Sequence, residues 1–250
     1  SLDNTCLLIR TAIMANFGFD PGERHPWNAV RLIALRNRFD PVVDYLAGLR
    51  WDGKPRLDRW LSAYFGAADS AVNRAISRKV LIAAVRRARQ PGCKFDNILV
   101  LDSSKQGTGK STAIRILAGE GNFSDAEILG LDARAQQEQV QGVWFYELQE
   151  LAGLGKAETE QVKAFASKQV DSARPAYATA RVDRPRRCIF IGTTNSAEYL
   201  KDPTGNRRFW PVTPGPRIDL AGLRADRDQL FAEAAAAETE GESLTISEEL

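Results

Sequence analysis

One short loop restricts the fold of this chain more than any other feature. The glycine-rich stretch QGTGKST, residues 106–112, follows the apolar run NILVLD and precedes the helical pattern STAIRILAG. A buried strand, a glycine turn and a helix in this order are typical of a phosphate-binding loop. Gly109, Lys110 and Ser111 match the end of that pattern, whereas Ser104 occupies the position of its first glycine. Serine can adopt such a turn at modest cost, so the loop is still predicted to bind phosphate.

The loop predicts specific contacts with a nucleotide and a metal ion. Successive backbone N–H groups of such a loop surround phosphate oxygens at the start of a helix. The lysine brings a positive charge to the β and γ phosphates, and the hydroxyl that follows it binds Mg²⁺. Lys110 is thus the predicted phosphate lysine and Ser111 a predicted magnesium ligand. The full set of predicted nucleotide contacts is Gln106, Gly107, Thr108, Gly109, Lys110, Ser111 and Thr112.

Two further apolar runs end in polar side chains that suit phosphate chemistry. VWFYELQEL carries Glu147 and Glu150 after four bulky residues, and RCIFIGTTN ends at Asn195. A phosphate loop needs a carboxylate on a neighbouring strand, and ligands of open α/β sheets lie at the carboxyl ends of strands. Glu147 is predicted to hold Mg²⁺, Glu150 to act as general base and Asn195 to orient water. The spacing does not decide which of the two glutamates has which role. The alternatives are that both are surface glutamates at a strand end and that Asn195 belongs to an ordinary hydrogen-bonded turn.

The stretch TGNRRFWPV contains two adjacent arginines, Arg207 and Arg208, before an apolar strand. An arginine that reaches the γ-phosphate of a neighbouring subunit is an arginine finger. Adjacent residues on a strand point in opposite directions, so one of the two is expected to be the finger. An ordinary salt bridge is the alternative.

A basic segment, DSARPAYATARVDRPRR, lies within residues 169–186 and its neighbour Arg187, and is predicted to form a hairpin or an extended loop. Proteins usually bind single-stranded nucleic acid with arginines that neutralise its phosphate backbone and an aromatic ring that stacks on its bases. A solvated loop is the alternative. The residues predicted to contact nucleic acid are Lys163, Lys168, Arg174, Tyr177, Arg181 and Arg184.

Composition excludes several other classes of protein. Three scattered cysteines and one histidine argue against a disulfide framework, a zinc site and a Ser-His-Asp hydrolase. No apolar run is long enough to span a bilayer. Charge is uneven, because residues 50–95 carry 11 Lys/Arg against 3 Asp/Glu while residues 217–250 carry 3 against 9. The basic region is consistent either with a nucleic-acid surface or with solvated helix faces.

The chain is predicted to have three parts. Apolar residues at helical spacing predict a mostly helical region over 1–92, including a helix over PRLDRWLSAYF. Strand patterns that alternate with helices predict an α/β core with a parallel sheet over 93–215. A helical segment is predicted over 216–250. The first residue is Ser1, so the sequence leaves open whether a further segment precedes it.

The order of WDGKPR, PGCKFD, QGTGKST, WFYELQEL, DSARPAY, IGTTN and TGNRRFWPV resembles the virulence-associated E family over roughly residues 30–235. These proteins are P-loop ATPases of phages and genomic islands, similar to superfamily 3 helicases. The resemblance implies an AAA+-like P-loop NTPase core and a homo-oligomeric ring, expected to be a hexamer. It also implies replication of mobile DNA in the bacterial cytoplasm, with a primase or another replication protein as partner.

These observations lead to one main expectation and two alternatives. We expect a Mg²⁺-dependent ATPase motor that moves on single-stranded or fork DNA, with ATP bound between subunits and no membrane association. The first alternative is an ATP-gated protein that binds a replication partner without translocating. The second is a small-molecule kinase, which the arginine pair and the basic segment disfavour.

Overall fold

The computed structural model describes residues 2–103, 105–151, 155–176, 180–195 and 206–246. The chain divides into two compact units, Ser1–Asp44 and Tyr45–Leu250. The first unit contains helices α1 (Leu2–Phe17) and α2 (Arg24–Arg36). Helix α3 (Pro41–Gly48) crosses the boundary between the units.

The second unit is built around a parallel sheet. The strands are β1 (Ile98–Asp102), β2 (Phe123–Ser124), β3 (Phe145–Leu148), β4 (Val170–Ala173), β5 (Val182–Pro185), β6 (Ile189–Thr194) and β7 (Phe209–Val212). Five of them pair in the order β2-β3-β6-β1-β7, and every neighbouring pair is parallel. β4 and β5 form a separate antiparallel hairpin. The predicted α/β class with a parallel sheet is confirmed.

Helices cover both faces of the sheet. They are α4 (Trp60–Ala63), α5 (Ala71–Arg89), α6 (Lys110–Ala118), α7 (Ala133–Gln139), α8 (Lys156–Ala166) and α9 (Leu220–Thr239). On β3, Phe145 packs against Phe231 of α9, whereas Tyr146 packs against Phe190, which contacts Phe165 of α8. Consecutive strand residues point to opposite faces, so α8 and α9 lie on opposite sides of the sheet. In the described part of the chain, no helix is both long and apolar enough to cross a membrane.

The helices on either side of the predicted core fold together with it. Residues 45–92 and 216–250 belong to the same compact unit as the sheet, whereas the sequence suggested separate parts with boundaries at 92 and 215. The reason is that α5 and α9 pack on each other and α9 also packs on α6. The helix predicted over PRLDRWLSAYF is only the short α4, and Leu57 and Phe65, which flank it, are buried.

Complementary charge joins α5 to α9 and the residues that follow it. Arg89 lies 2.9 Å from Glu238, whose side chain is only 6% exposed, and Lys79 lies 2.6 Å from Glu242. Arg86 and Arg78 pair with the same two glutamates. Four basic residues of the region 50–95 therefore pair within the chain with two glutamates of its acidic end.

Candidate functional site

A polar cleft of about 540 Å³ lies at the carboxyl ends of the central strands. The register aligns Asp102 of β1 with Thr194 of β6, and Leu148 of β3 with Gly192 of β6, so the three strands end side by side. Their following loops therefore meet at one edge of the sheet. The cleft is lined by Gln106, Gly107, Thr108, Gly109, Lys110, Ser111, Thr112, Glu147, Gln149, Glu150, Thr193, Thr194 and Asn195.

Lys110 is the first residue of α6 and reaches across to the end of β6. Its Nζ donates to the carbonyl oxygen of Thr194 at 2.7 Å and to Oδ1 of Asn195 at 2.9 Å. The side chain is only 9% exposed, and this burial lowers the pKa of Lys110, with Asp102 and Glu147 opposing the shift. The structure therefore brings the predicted lysine and the predicted Asn195 into direct contact.

Glu147 receives two hydroxyl groups on a single carboxylate oxygen. Oγ of Ser111 donates to Glu147 Oε1 at 2.8 Å, and Oγ1 of Thr193 donates to the same oxygen at 2.7 Å. The other oxygen, Oε2, is buried and has no hydrogen-bond partner among the described residues. Burial raises the pKa of Glu147. The hydrogen bonds from the Thr193 and Ser111 hydroxyl groups act in the opposite direction and lower this pKa. The carboxylate of this cleft-lining residue thus has one satisfied oxygen and one buried oxygen without a partner among the described residues.

The glycine-rich loop has the backbone that a close approach to an anion requires. Gly107 has φ +72° and Gly109 φ +94°, a region that side-chain-bearing residues rarely adopt. Between them, Thr108 accepts a hydrogen bond from the N–H of Ile218 on its carbonyl oxygen. Its own Oγ1 is buried and, among the described residues, has no partner. Ser104, the departure from the usual pattern, lies outside the described residues.

Glu150 occupies a strained position beside the same cleft. It is exposed and has φ +52°, the one positive φ of a non-glycine residue in the described ranges. The next residue, Leu151, is buried and donates its N–H to the carbonyl oxygen of Thr193 at 3.2 Å. Strained backbone of this kind is maintained only where the surroundings enforce it, and it is concentrated at functional sites.

The two arginines lie at the opposite end of the sheet. Ile98, the first residue of β1, pairs with Phe209, so Arg207 and Arg208 precede the amino end of β7. They form a 3-10 turn (Asn206–Arg208) rather than part of the strand that was predicted, so strand alternation does not separate them. The structure therefore does not bring either arginine to the cleft of its own chain.

The surroundings of the two arginines differ. Arg208 pairs with Asp96 at 3.1 Å, as the salt-bridge alternative expected. Arg207 is exposed, and its guanidinium has no hydrogen-bond or ion-pair partner in the described ranges. Asn97 donates to the backbone oxygen of Arg207 at 3.1 Å and fixes the turn against β1. Arg207 is therefore the arginine whose charge is available to another molecule.

Two basic side chains, Lys163 before the basic segment and Arg186 within it, are buried, and the burial of Lys163 corrects its prediction. Lys163 is 3% exposed on the inner face of α8 and pairs with Glu160 at 2.8 Å, so it cannot contact nucleic acid as predicted. Arg186 is 2% exposed and forms a bidentate pair with Asp171, with Nε–Oδ2 at 2.9 Å, while it also stacks on the ring of Phe165. Arg186 therefore secures the base of the hairpin, whereas the Lys163 pair lies within α8.

The remaining basic residues lie on or beside the hairpin surface. Arg174 and Arg181 are exposed at the ends of β4 and β5 nearest the tip, and neither has a partner among the described residues. Arg184 donates to Gln141, and Lys168 donates to Gln136 at 3.0 Å. Tyr177, the predicted stacking ring, lies outside the described residues.

Gln149, Thr193 and Thr194 line the cleft but were not among the predicted site residues, and of these Thr193 makes the closest contacts to the predicted glutamates. Its hydroxyl holds Glu147 and its carbonyl oxygen holds Leu151. A signal was available in the sequence, because IGTTN places two threonines in an otherwise apolar strand. A threonine is common in strands for its β-branched shape alone, so the pattern did not identify its role.

A family model supplies the first comparison with known proteins. The model of the virulence-associated protein E-like domain matches residues 46–250. Comparison with curated proteins finds no match.

Solved structures with a similar fold include several of the NrS-1 C-terminal region. An apo structure of that region has a TM-score of 0.57 at 12% identity and covers 92% of this chain and 60% of that chain. An A-form apo structure has a TM-score of 0.54 at 14% identity and covers 80% and 49%. The chain thus spans between half and three fifths of those structures, and at these identities the likeness shows the fold alone.

Proposed function

Because the chain belongs to the virulence-associated protein E-like family, we propose that it is a Mg²⁺-dependent ATPase acting on DNA during replication of a phage or another mobile element. The observation that carries the proposal is the cleft in which Lys110, Ser111, Glu147 and Asn195 converge. A cation, a hydroxyl, a carboxylate and an amide at the carboxyl ends of parallel strands suit a nucleoside triphosphate. We propose ATP as the substrate.

The loop residues have separate roles in this proposal. The backbone N–H groups of residues 106–112 bind the phosphate oxygens, and Lys110 exchanges its bonds to Thr194 and Asn195 for the β and γ phosphates. The buried hydroxyl of Thr108, which has no partner among the described residues, gains an acceptor. An orphaned buried hydroxyl costs about 1–3 kcal/mol, so a ligand that satisfies it binds more tightly.

Ser111 and Glu147 fit a magnesium ion by the chemistry of their atoms. Both offer oxygen, the donor that Mg²⁺ prefers, and the free Oε2 of Glu147 has a lone pair to share. No group of three or more His, Cys, Asp or Glu side chains in the described ranges could hold a metal alone, which fits an ion shared with phosphates. When bound, Mg²⁺ neutralises charge on the phosphate oxygens.

Glu150 and Asn195 are left to act on water. Glu147 is held by Ser111 and Thr193, whereas Glu150 is exposed on the rim of the cleft, where its carboxylate can accept a proton. Asn195 is freed for a water molecule when Lys110 turns to phosphate. We therefore propose the general-base role for Glu150 and the orienting role for Asn195.

Arg207 supports a site that is completed by a second copy of the chain. It is exposed and unpaired among the described residues, yet it lies at the far end of its own sheet. A neighbouring copy in a head-to-tail arrangement brings such an arginine to the γ-phosphate. We propose a closed ring, a hexamer, that works in the bacterial cytoplasm with a primase or another replication protein.

Arg174 and Arg181 support contact with DNA. Exposed arginines on a protruding hairpin neutralise phosphates and release counterions. Single-stranded or fork DNA is the proposed ligand of this hairpin.

The decisive experiment combines nucleotide binding with turnover. ADP and ATP affinities are measured by calorimetry, and ATP hydrolysis is measured over a range of protein concentrations with and without single-stranded DNA. Lys110→Ala should weaken nucleotide binding by roughly tenfold to a hundredfold, the value of a charge-assisted hydrogen bond. Lys105→Ala is the matched control, because Lys105 is an exposed lysine of the same loop that does not line the cleft.

The outcomes separate the proposal from its alternative. Turnover that rises with protein concentration and with DNA supports an assembling DNA motor. Nucleotide binding without turnover at any concentration supports an ATP-gated interaction protein. Equal nucleotide affinity in wild type and Lys110→Ala overturns the assignment of the cleft.

A further inference from the structure

We infer that Thr193 is a positioning residue that orients both glutamates of the cleft, Glu147 through its hydroxyl and Glu150 through its backbone. The inference rests on the proposed ATPase function and adds a residue to the machinery of that site. It follows from two hydrogen bonds that join the end of β6 to the end of β3.

The first bond selects which carboxylate oxygen faces a ligand. Thr193 Oγ1 and Ser111 Oγ both donate to Oε1 of Glu147, at 2.7 and 2.8 Å. The terminal torsion of a glutamate is broad and nearly two-fold, so one hydroxyl alone restrains it weakly. Donors from two different elements, α6 and β6, fix the plane of the carboxylate. Oε2 is then the oxygen left for a metal ion or its water shell.

The second bond acts on the loop that carries Glu150. The carbonyl oxygen of Thr193 accepts the N–H of Leu151, one residue after the strained φ of +52°. Leu151 packs where Gly192 has no side chain, since a Cβ there would lie 2.3 Å from Leu151 Cδ1. The loop is thus pinned to β6 by a hydrogen bond and by a tight contact. These two contacts offset the cost of the strained backbone conformation that places Glu150 at the rim of the cleft.

The two roles of Thr193 can be separated by substitution. Thr193→Val removes the hydroxyl but keeps the shape and the carbonyl oxygen, so only the bond to Glu147 is lost. Thr193→Ser keeps the hydroxyl. Thr213→Val is the matched control, because Thr213 Oγ1 also donates to a strand-end carboxylate, Asp102, at 2.5 Å.

The test measures the affinity for ADP with and without Mg²⁺ by calorimetry, together with kcat and KM for ATP. In Thr193→Val we expect Mg²⁺-free affinity close to wild type, because Lys110 and the loop are intact. The tightening caused by Mg²⁺ should fall by about fivefold to tenfold, as for the net loss of one ordinary hydrogen bond. We also expect kcat to fall more than KM rises, and Thr193→Ser to restore both.

Several results would overturn the inference. An unchanged Mg²⁺ effect in Thr193→Val would show that Ser111 alone orients Glu147, and a serine variant that behaves like valine would show that the hydroxyl is not the cause. If the valine variant does not fold, Thr193→Ala takes its place against the same serine rescue. Failure of wild type to bind ADP at all would instead refute the proposed function.

Discussion

Lys110 Nζ donates to Asn195 Oδ1 at 2.9 Å, so the lysine of the glycine-rich loop is tied to the end of β6. A lysine in this state has to give up that bond, and the one to the Thr194 carbonyl oxygen, before it can reach a phosphate. Under the proposed function, nucleotide binding is therefore expected to be an exchange of partners for Lys110. The same exchange releases Asn195.

We predict opposite effects of two Asn195 substitutions on nucleotide affinity. Asn195→Ala removes a competitor for Lys110 and should tighten ADP binding by roughly threefold to tenfold, the net value of one ordinary hydrogen bond. Asn195→Asp adds a negative charge beside Lys110 and should weaken ADP binding. Both should lower ATP turnover, since neither can orient water as the amide does. Calorimetry with ADP is the measurement, and weaker binding in both variants would contradict the exchange.

Arg207 and Arg208 should differ in stability and in turnover. Arg208→Ala breaks the partly exposed pair with Asp96 and should lower the free energy of unfolding by about 0.5–1 kcal/mol. Arg207→Ala should leave the melting temperature unchanged and remove turnover.

A mixing experiment tests whether Arg207 acts on a neighbouring copy. Lys110→Ala and Arg207→Ala are each inactive in the proposed scheme. An equal mixture should recover turnover, because about a quarter of random interfaces pair an intact lysine with an intact arginine. No recovery in a mixture that assembles would exclude action between copies.

Glu147→Gln should stabilise the protein near neutral pH. Burial raises the pKa of Glu147, so the ionised form is disfavoured in the folded state relative to the unfolded one. Stability from this group is therefore present at low pH and is lost as pH rises through the raised pKa. Glutamine keeps an acceptor for Ser111 and Thr193 without the buried charge. Thermal melts should show a higher melting temperature near neutral pH and a smaller gain in mild acid, while a lower melting temperature near neutral pH would contradict this account.

The exposed hairpin arginines should affect DNA binding without affecting folding. Arg174→Ala and Arg181→Ala should each weaken binding to single-stranded DNA and reduce the dependence of log affinity on log salt by about one. Arg224→Ala is the control, because this arginine is exposed on α9 and has no partner in the described part of the chain.

Arg186→Ala, in contrast, should lower the free energy of unfolding by about 3–5 kcal/mol, since it leaves Asp171 buried and unpaired. Fluorescence anisotropy and melts distinguish the two classes.

Glu150→Gly should be at least as stable as Glu150→Gln although it is the larger change. The left-handed backbone of Glu150 costs a side-chain-bearing residue roughly 1 kcal/mol or more, which glycine avoids. Both variants should lose turnover, because both lack the proposed base. A melting temperature of the glycine variant well below that of the glutamine variant would show that this conformation carries no strain.

The parts of the site that depend on strand ends could be predicted from the sequence. The strands that lead to Lys110, Glu147 and Asn195 are mostly apolar, which is typical of strands buried on both faces. Parallel strands bring their carboxyl ends to one edge, so these side chains had to meet. The family resemblance is confirmed by the match over residues 46–250.

The parts of the structure that depend on tertiary packing could not be predicted from the sequence. Lys163 and Arg186 look like surface charges, and only the packing of α8 against the hairpin base shows that they are buried. The 3-10 turn at Arg207 replaces an expected strand because the strand starts at Phe209, where pairing with β1 begins. Strand β2 and helix α7 are too short for a periodic pattern to reveal.

The buried base of the hairpin has a mechanical consequence. Arg186 is clamped by Asp171 and Phe165, and β6 begins three residues later and ends beside Asn195. Ladders to β1 and β3 on either side resist bending of this strand. A force on the hairpin thus reaches the cleft along the axis of β6, which is about 20 Å long at the usual rise of a strand. We therefore expect a displacement of the hairpin to be transmitted along β6 to Thr193 and to the bonds that Lys110 makes at the end of this strand.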